Sequence, residues 1–254
     1  MTNRCGTALI VLVLGMLASP AAALPVLQLD IAGGVYDPVT KTIVATSDRF
    51  VLSAVLTFTP DTTPDRVVAN LAEQYYISMA LIPMTGPAHN NSLGTLSVNS
   101  TAIPVTAGMT YGVPPMERLA SLQGWDPGDF SNPQIYPTFF YQHAFHFDPN
   151  ARAVTYDSAV TPGGLTPSAS GGSYYYSLTV DTTLLDPAYQ LHFDLYDSYV
   201  VNCGNGCKDV DIEHYAPSTH DARSQIPEPS RSSYLLLGLL STVAVVAIRK
   251  RVTS

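Results

Sequence analysis

The stretch Tyr189-Gln190-Leu191-His192-Phe193-Asp194-Leu195-Tyr196 alternates apolar and polar side chains, the period of two that an extended chain shows when one of its faces is buried. It predicts a half-buried strand with Tyr189, Leu191, Phe193 and Leu195 turned inward, and Gln190, His192, Asp194 and Tyr196 turned to water. The segment 50–58 has the same period and a heavier apolar load. Phe50, Leu52, Ala54, Leu56 and Phe58 share one face, while Val51 and Val55 sit beside Ser53 and Thr57 on the other. This second strand is predicted to be largely buried.

Further strands are predicted over 26–31, 42–46, 75–82, 93–98, 136–147 and 174–182. Turn chemistry separates them: Gly33-Gly34, Pro60, the stretch 83–87, Pro114-Pro115, Asp126-Pro127-Gly128, Pro162-Gly163-Gly164 and Gly171-Gly172 supply fixed or positive φ where the chain reverses. Helix signals are confined to 65–72 and to 115–122, the latter opened by a proline in its first turn. Many short strands with such punctuation predict an all-β fold, a mostly antiparallel β-sandwich. No internal repeat or charged linker divides it, so 24–225 reads as one domain.

Composition limits the function. The 254 residues are 46% hydrophobic and 13% charged, which excludes a disordered acidic tail. Lys+Arg number 12 against 20 Asp+Glu, for a formal charge of −8, so no basic stripe is available to grip nucleic acid. Nearly all the acids fall within 24–225, a balance that suits a soluble surface domain and attracts cations without specifying a site.

The two ends read as addresses. Arg4 is the sole charge before the apolar run 8–17, and Ala21 and Ala23 are the small residues a signal peptidase requires. Residues 1–23 therefore read as a signal peptide with a short helical core, placing the mature chain from Leu24 onward in an oxidising compartment. The run 8–17 is too short to span a bilayer core of about 30 Å, and Cys5 leaves with the signal. At the other end, 234–248 carries no charge and is followed at once by Arg249, Lys250 and Arg251. A helix of that length measures about 22 Å. It is expected to span a thinned bilayer with its basic end on the cytoplasmic side.

Just before this helix stands Pro227-Glu228-Pro229. Together with the apolar span 234–248 and the terminal Arg249-Lys250-Arg251, it resembles a PEP-CTERM sorting signal occupying 226–254. The resemblance implies recognition by an exosortase-type membrane peptidase in a Gram-negative bacterium that makes exopolysaccharide, with a transient tail helix. An ordinary type I anchor after a proline-rich linker is the alternative. The domain itself resembles the exported choice-of-anchor proteins, the N type in particular. The resemblance rests on Leu27-Gln28-Leu29-Asp30-Ile31-Ala32-Gly33-Gly34 with Tyr36-Asp37, on Leu122-Gln123-Gly124 through Asp126-Pro127-Gly128-Asp129, on Leu191-His192-Phe193-Asp194-Leu195-Tyr196, and on Ala216-Pro217 with Ser218 to Ala222. It implies a surface protein of undetermined activity and carries over no catalytic residue.

Three constellations could carry chemistry. Cys203 and Cys207 enclose Gly204, Asn205 and Gly206, and in an exported protein they are expected to form a disulfide, with free thiols or a metal as alternatives. Asp209, Asp211 and Glu213 alternate with Val210 and Ile212, so an extended chain sets three carboxylates on one face. Calcium would suit them, with Asp126, Asp129, Asp194, Asp197 and Asp221 as further oxygen donors. A solvated acidic face near Lys208 and Arg223 is the other reading. His143 and His146 fall on opposite strand faces and cannot share a metal, while His214 and His220 flank a loop and read as solvated. The sequence holds no nucleophile elbow, S-x-x-K triplet or H-E-x-x-H helix. The 15 tyrosines and Trp125 could stack on sugars, but Tyr174, Tyr175 and Tyr176 read first as packing. The sequence thus predicts an exported surface or extracellular-matrix protein with a structural or adhesive role. The alternatives are a secreted polysaccharide-acting enzyme, working through paired carboxylates beside Trp125, and a calcium-dependent carbohydrate-binding module.

Overall fold

Leu52, Ala54 and Leu56 point one way from β4 (Arg49–Thr57), and the strand lies inside an antiparallel sheet, paired on both edges, because apolar residues on both its faces need cover. Its neighbours are β1 (Leu27–Ile31) and β11 (Ser173–Leu185). On the far side of β11 lie β6 (Gly94–Val98) and β7 (Thr101–Pro104), giving the order β1-β4-β11-β6-β7, with the short β10 (Arg152–Ala153) also pairing β11. The computed structural model describes residues 27–60, 62–87, 93–114, 135–197, 199–202, 208–211, 216–217 and 220–224.

The second sheet is built on the alternating stretch 189–196. There β12 (Gln190–Asp197) pairs antiparallel with β5 (Tyr75–Ile82), and β5 with β9 (Thr138–Phe145). The full order is β2 (Val35–Asp37), β3 (Thr42–Val44), β15 (Asp221–Arg223), β12, β5, β9 and β8 (Thr110–Gly112). All its pairings are antiparallel except β15 with β3, which is parallel. A separate hairpin joins β13 (Tyr199–Asn202) to β14 (Lys208–Asp211). Two helices complete the described elements, α1 (Pro64–Ala72) and the single turn α2 (Val105–Gly108). Pro64 opens α1, where a missing N–H is harmless, and Leu71 is its buried contact. Among the described residues no helix is long and apolar enough to cross a membrane.

The two sheets share one apolar core. Leu27, Leu29, Ile31, Leu52 and Leu56 from the first are fully buried with Ile77, Met79, Leu191, Phe193 and Leu195 from the second. Phe50 meets Phe193 edge-on at 5.9 Å, and Tyr176 stacks on Phe145 at 4.3 Å, both across the two sheets. Tyr174 packs edge-on against Phe58 at 5.8 Å. Tyr174 and Tyr176 thus belong to the packing and Tyr175 to the other face, as alternation requires.

The predicted strands at 26–31, 42–46, 50–58, 75–82, 93–98, 136–147, 174–182 and 189–196 are all present within a few residues, as is the helix predicted over 65–72. One expectation is corrected. Most of the polar row of β12 does not meet water: His192, Asp194 and Tyr196 are buried with Leu191, Phe193 and Leu195, and Gln190 at the strand's start is half-buried. The helix expected over 115–122, the signal segment 1–23 and the tail 226–254 lie outside the described residues.

The outward residues of β1 are buried as well. Asp30 Oδ1 accepts from the backbone N–H of Ile31 at 2.8 Å and of Gly163 at 2.7 Å, and Oδ2 accepts from the Tyr156 hydroxyl at 2.6 Å. Gln28 donates to the Tyr156 carbonyl at 2.8 Å and accepts from Ser158 N–H at 2.9 Å. The stretch 154–167 is thereby clamped over the sheet. Gly163 is required there: its φ is +70°, and an added Cβ would lie 2.9 Å from the Gly33 nitrogen. Burial pushes the Asp30 carboxyl above its ordinary value of 3.8, against the pull of the Tyr156 and backbone hydrogen bonds. The Tyr156 hydroxyl is pushed up by burial and by the Asp30 charge.

Because the native state holds the Asp30 proton more tightly, its contribution to stability is full below about pH 3.8 and is lost as pH rises through the raised value. We therefore expect Asp30→Asn to gain on the wild type in urea unfolding as pH increases from about 4 to 7. Asp30→Ala should lose about 1–3 kcal/mol for each buried donor it orphans. A wild-type and D30N difference independent of pH would contradict the raised carboxyl.

Candidate functional site

Strand β12 sets His192 and Asp194 two residues apart, hence on one face, and pairing decides what stands beside them. Asp194 lies opposite Ser78 and His192 opposite Ala80 of β5, while on the other side His192 lies opposite Arg223 of β15. Asp221, two residues before Arg223, joins the same face. Ser224 fastens this end of the chain, since Leu191 N–H donates to its hydroxyl and its own N–H donates to the Leu191 carbonyl, both at 2.8 Å.

The three polar groups meet. His192 Nε2 donates to Asp194 Oδ1 at 2.9 Å and lies 3.8 Å from Asp221 Oδ2. The other oxygen of Asp194 accepts from the Tyr136 hydroxyl at 3.1 Å. His192 is 4% exposed, and Asp194 and Asp221 are 1% exposed. Arg223 on the same face turns away to Asp37, contacting Oδ2 at 2.5 Å. Asp37 is held below the usual carboxylate range chiefly by the Val39 N–H and the Thr40 hydroxyl, with Arg223 adding to this.

Other predicted site residues fall elsewhere. Asp209 and Asp211 lie on β14, in register with Val201 and Tyr199 of β13. Glu213, Cys203, Cys207, His214, Trp125, Asp126, Asp129, Pro227, Glu228, Pro229, Arg249, Lys250 and Arg251 lie outside the described residues. Of the five further oxygen donors, the structure brings Asp194 and Asp221 together, and Asp197 is buried at the end of β12. His143 shares a hydrogen bond with the Tyr176 hydroxyl at 2.8 Å, and His146 donates from Nδ1 to the Glu73 carbonyl at 2.8 Å, so the two have separate partners. Burial pushes the His143 imidazole below its ordinary value and favours its neutral form. His220 is not a solvated loop residue: it is 8% exposed, and its Nε2 lies 3.1 Å from Asp157 Oδ1.

His192 was missed as a site residue because alternation alone placed it in water. The usable signal was the His-x-Asp pair within a strand, which guarantees a shared face. Chemically, the cluster is an imidazole between two carboxylates in a closed environment, suited to holding a proton or a cation. Its carboxylate oxygens lie within 4.8 Å of each other, closer and more enclosed than the carboxyl groups about 5–9 Å apart that flank a glycosidic bond during hydrolysis.

We expect His192→Leu to destabilise the chain by about 3–5 kcal/mol in urea unfolding, because two buried carboxylates then face each other without the imidazole. His192→Leu with Asp194→Leu should cost less than the sum of the single changes. Strict additivity would contradict the coupling. No family model matches the chain and no curated protein matches it, so its function is read from the two ends of its sequence and from this geometry.

Proposed function

We propose that the two facing sheets form the β-sandwich ectodomain of an exported bacterial surface or extracellular-matrix protein with a structural or adhesive role. In this reading signal peptidase removes 1–23. The tail 226–254 then holds the chain in the inner membrane until an exosortase-type peptidase acts near Pro227-Glu228-Pro229. The observation that carries the proposal is the sequence architecture itself: a charge-poor apolar run at each end, the second followed by Arg249-Lys250-Arg251. The enclosure of His192, Asp194 and Asp221 favours a structural role for that cluster over catalysis on a polymer.

The disulfide belongs to the same reading. Asn202 and Lys208 are direct partners in the β13–β14 hairpin, and they are the residues immediately before Cys203 and after Cys207. Exopolysaccharide is the proposed environment, reached through the exosortase resemblance.

Intact mass of the protein recovered from outside the producing cell tests this. The expected product lacks 1–23 and the residues beyond the neighbourhood of Pro227, and it gains about two daltons on reduction. A product that retains 234–254 would remove the sorting step and leave a permanent anchor. A product that retains 1–23 would overturn export by a cleaved signal.

A further inference from the structure

We propose that His192, Asp194 and Asp221 bind one divalent first-row transition-metal ion of the zinc class. The geometry is close to that of ligands around such an ion. His192 Nε2 is 2.9 Å from Asp194 Oδ1 and 3.8 Å from Asp221 Oδ2, and all three ligand atoms lie within 4.8 Å of one another. Metal–ligand bonds of about 2.0–2.2 Å place neighbouring ligand atoms roughly 3.0–3.5 Å apart. The widest-spaced pair, at up to 4.8 Å, closes by about 1.3 Å to complete the arrangement.

Charge points the same way. Two buried carboxyl groups place up to two negative charges in a site closed to water, and a divalent ion offsets both. Arg223, the cation on this face, is committed to Asp37. The Tyr136 hydroxyl holds Asp194 Oδ2 and so turns Oδ1 toward the site, the role that outer partners play for ligating carboxylates.

A separate observation comes from the neighbouring strand. Ser78 is directly opposite Asp194 and projects from the same face. It is fully buried, and its Oγ has no hydrogen-bond partner among the described residues. A buried hydroxyl ordinarily finds a partner, and water or a carboxylate oxygen on a bound ion would supply one. Imidazole with carboxylates suits zinc and its neighbours, whereas calcium takes six to eight oxygens and no imidazole.

The test uses the full chain stripped with a chelator. Zn²⁺, Mn²⁺ or Ca²⁺ is offered singly, before and after a urea unfolding and refolding cycle, so that burial does not limit entry. The expected result is one zinc retained per chain after dialysis, with X-ray absorption showing nitrogen and oxygen ligands including an imidazole. His192→Gln and Asp194→Asn should each weaken binding by about a hundredfold or more, and Tyr136→Phe by about tenfold. A folded chain that retains no zinc overturns the proposal, as does zinc held by sulfur, tighter binding of calcium, or affinity unchanged in H192Q. Should the variants fail to fold, the ligand set of the wild type still decides.

Discussion

Strand β12 is buried on both faces, and this constraint governs much of what surrounds it. Its apolar row, Leu191, Phe193 and Leu195, fills the space between the sheets. Its polar row, His192 and Asp194, lies equally far from water and has to be satisfied by protein groups. A one-residue slip of β12 would exchange the rows and drive an imidazole and a carboxylate into the apolar core, so the register against β5 is strongly specified. The partners follow from that register: Asp221 arrives on β15, Tyr136 reaches Asp194 from the approach to β9, and Ser224 locks the end of β15 to Leu191.

The first sheet solves a similar problem with a loop. Gln28 and Asp30 face outward from β1, yet are covered by the stretch 154–167, whose N–H groups and Tyr156 hydroxyl supply their hydrogen bonds. The same stretch reaches the second sheet through Asp157 and His220, next to Asp221. One connection thus ties β1 to the start of β15. Each of these hydrogen bonds joins residues far apart in sequence, which makes the polar clips long-range fasteners rather than local turns.

Period-two patterning located every long strand because the apolar core imposes that period directly. It did not say what lies over the outer face of a sheet, which depends on distant loops, and so it sent His192 and Asp194 to water. Short strands escaped for related reasons. The β6–β7 hairpin turns through Asn99 and Ser100 at φ of 48° and 67°, with no glycine to announce it. Strand β15 has only three residues and joins β3 in parallel, a pairing no local pattern encodes. Asp194 and Asp221 were legible as oxygen donors, but their meeting with His192 is a product of sheet order. The proposed addresses at the two ends were legible from composition and charge alone.

Strand β12 is thus a central strand closed from solvent on both sides. Hydrogen exchange resolved to single amides in the full chain tests this most directly. Amides of Leu191 to Tyr196 should exchange as slowly as those of Leu52 to Leu56 in β4, through opening of the whole fold, and far more slowly than those of the edge strand β8. Exchange in β12 as fast as in β8 would mean that its polar face is open to water, and the buried cluster of His192, Asp194 and Asp221 would fall with it.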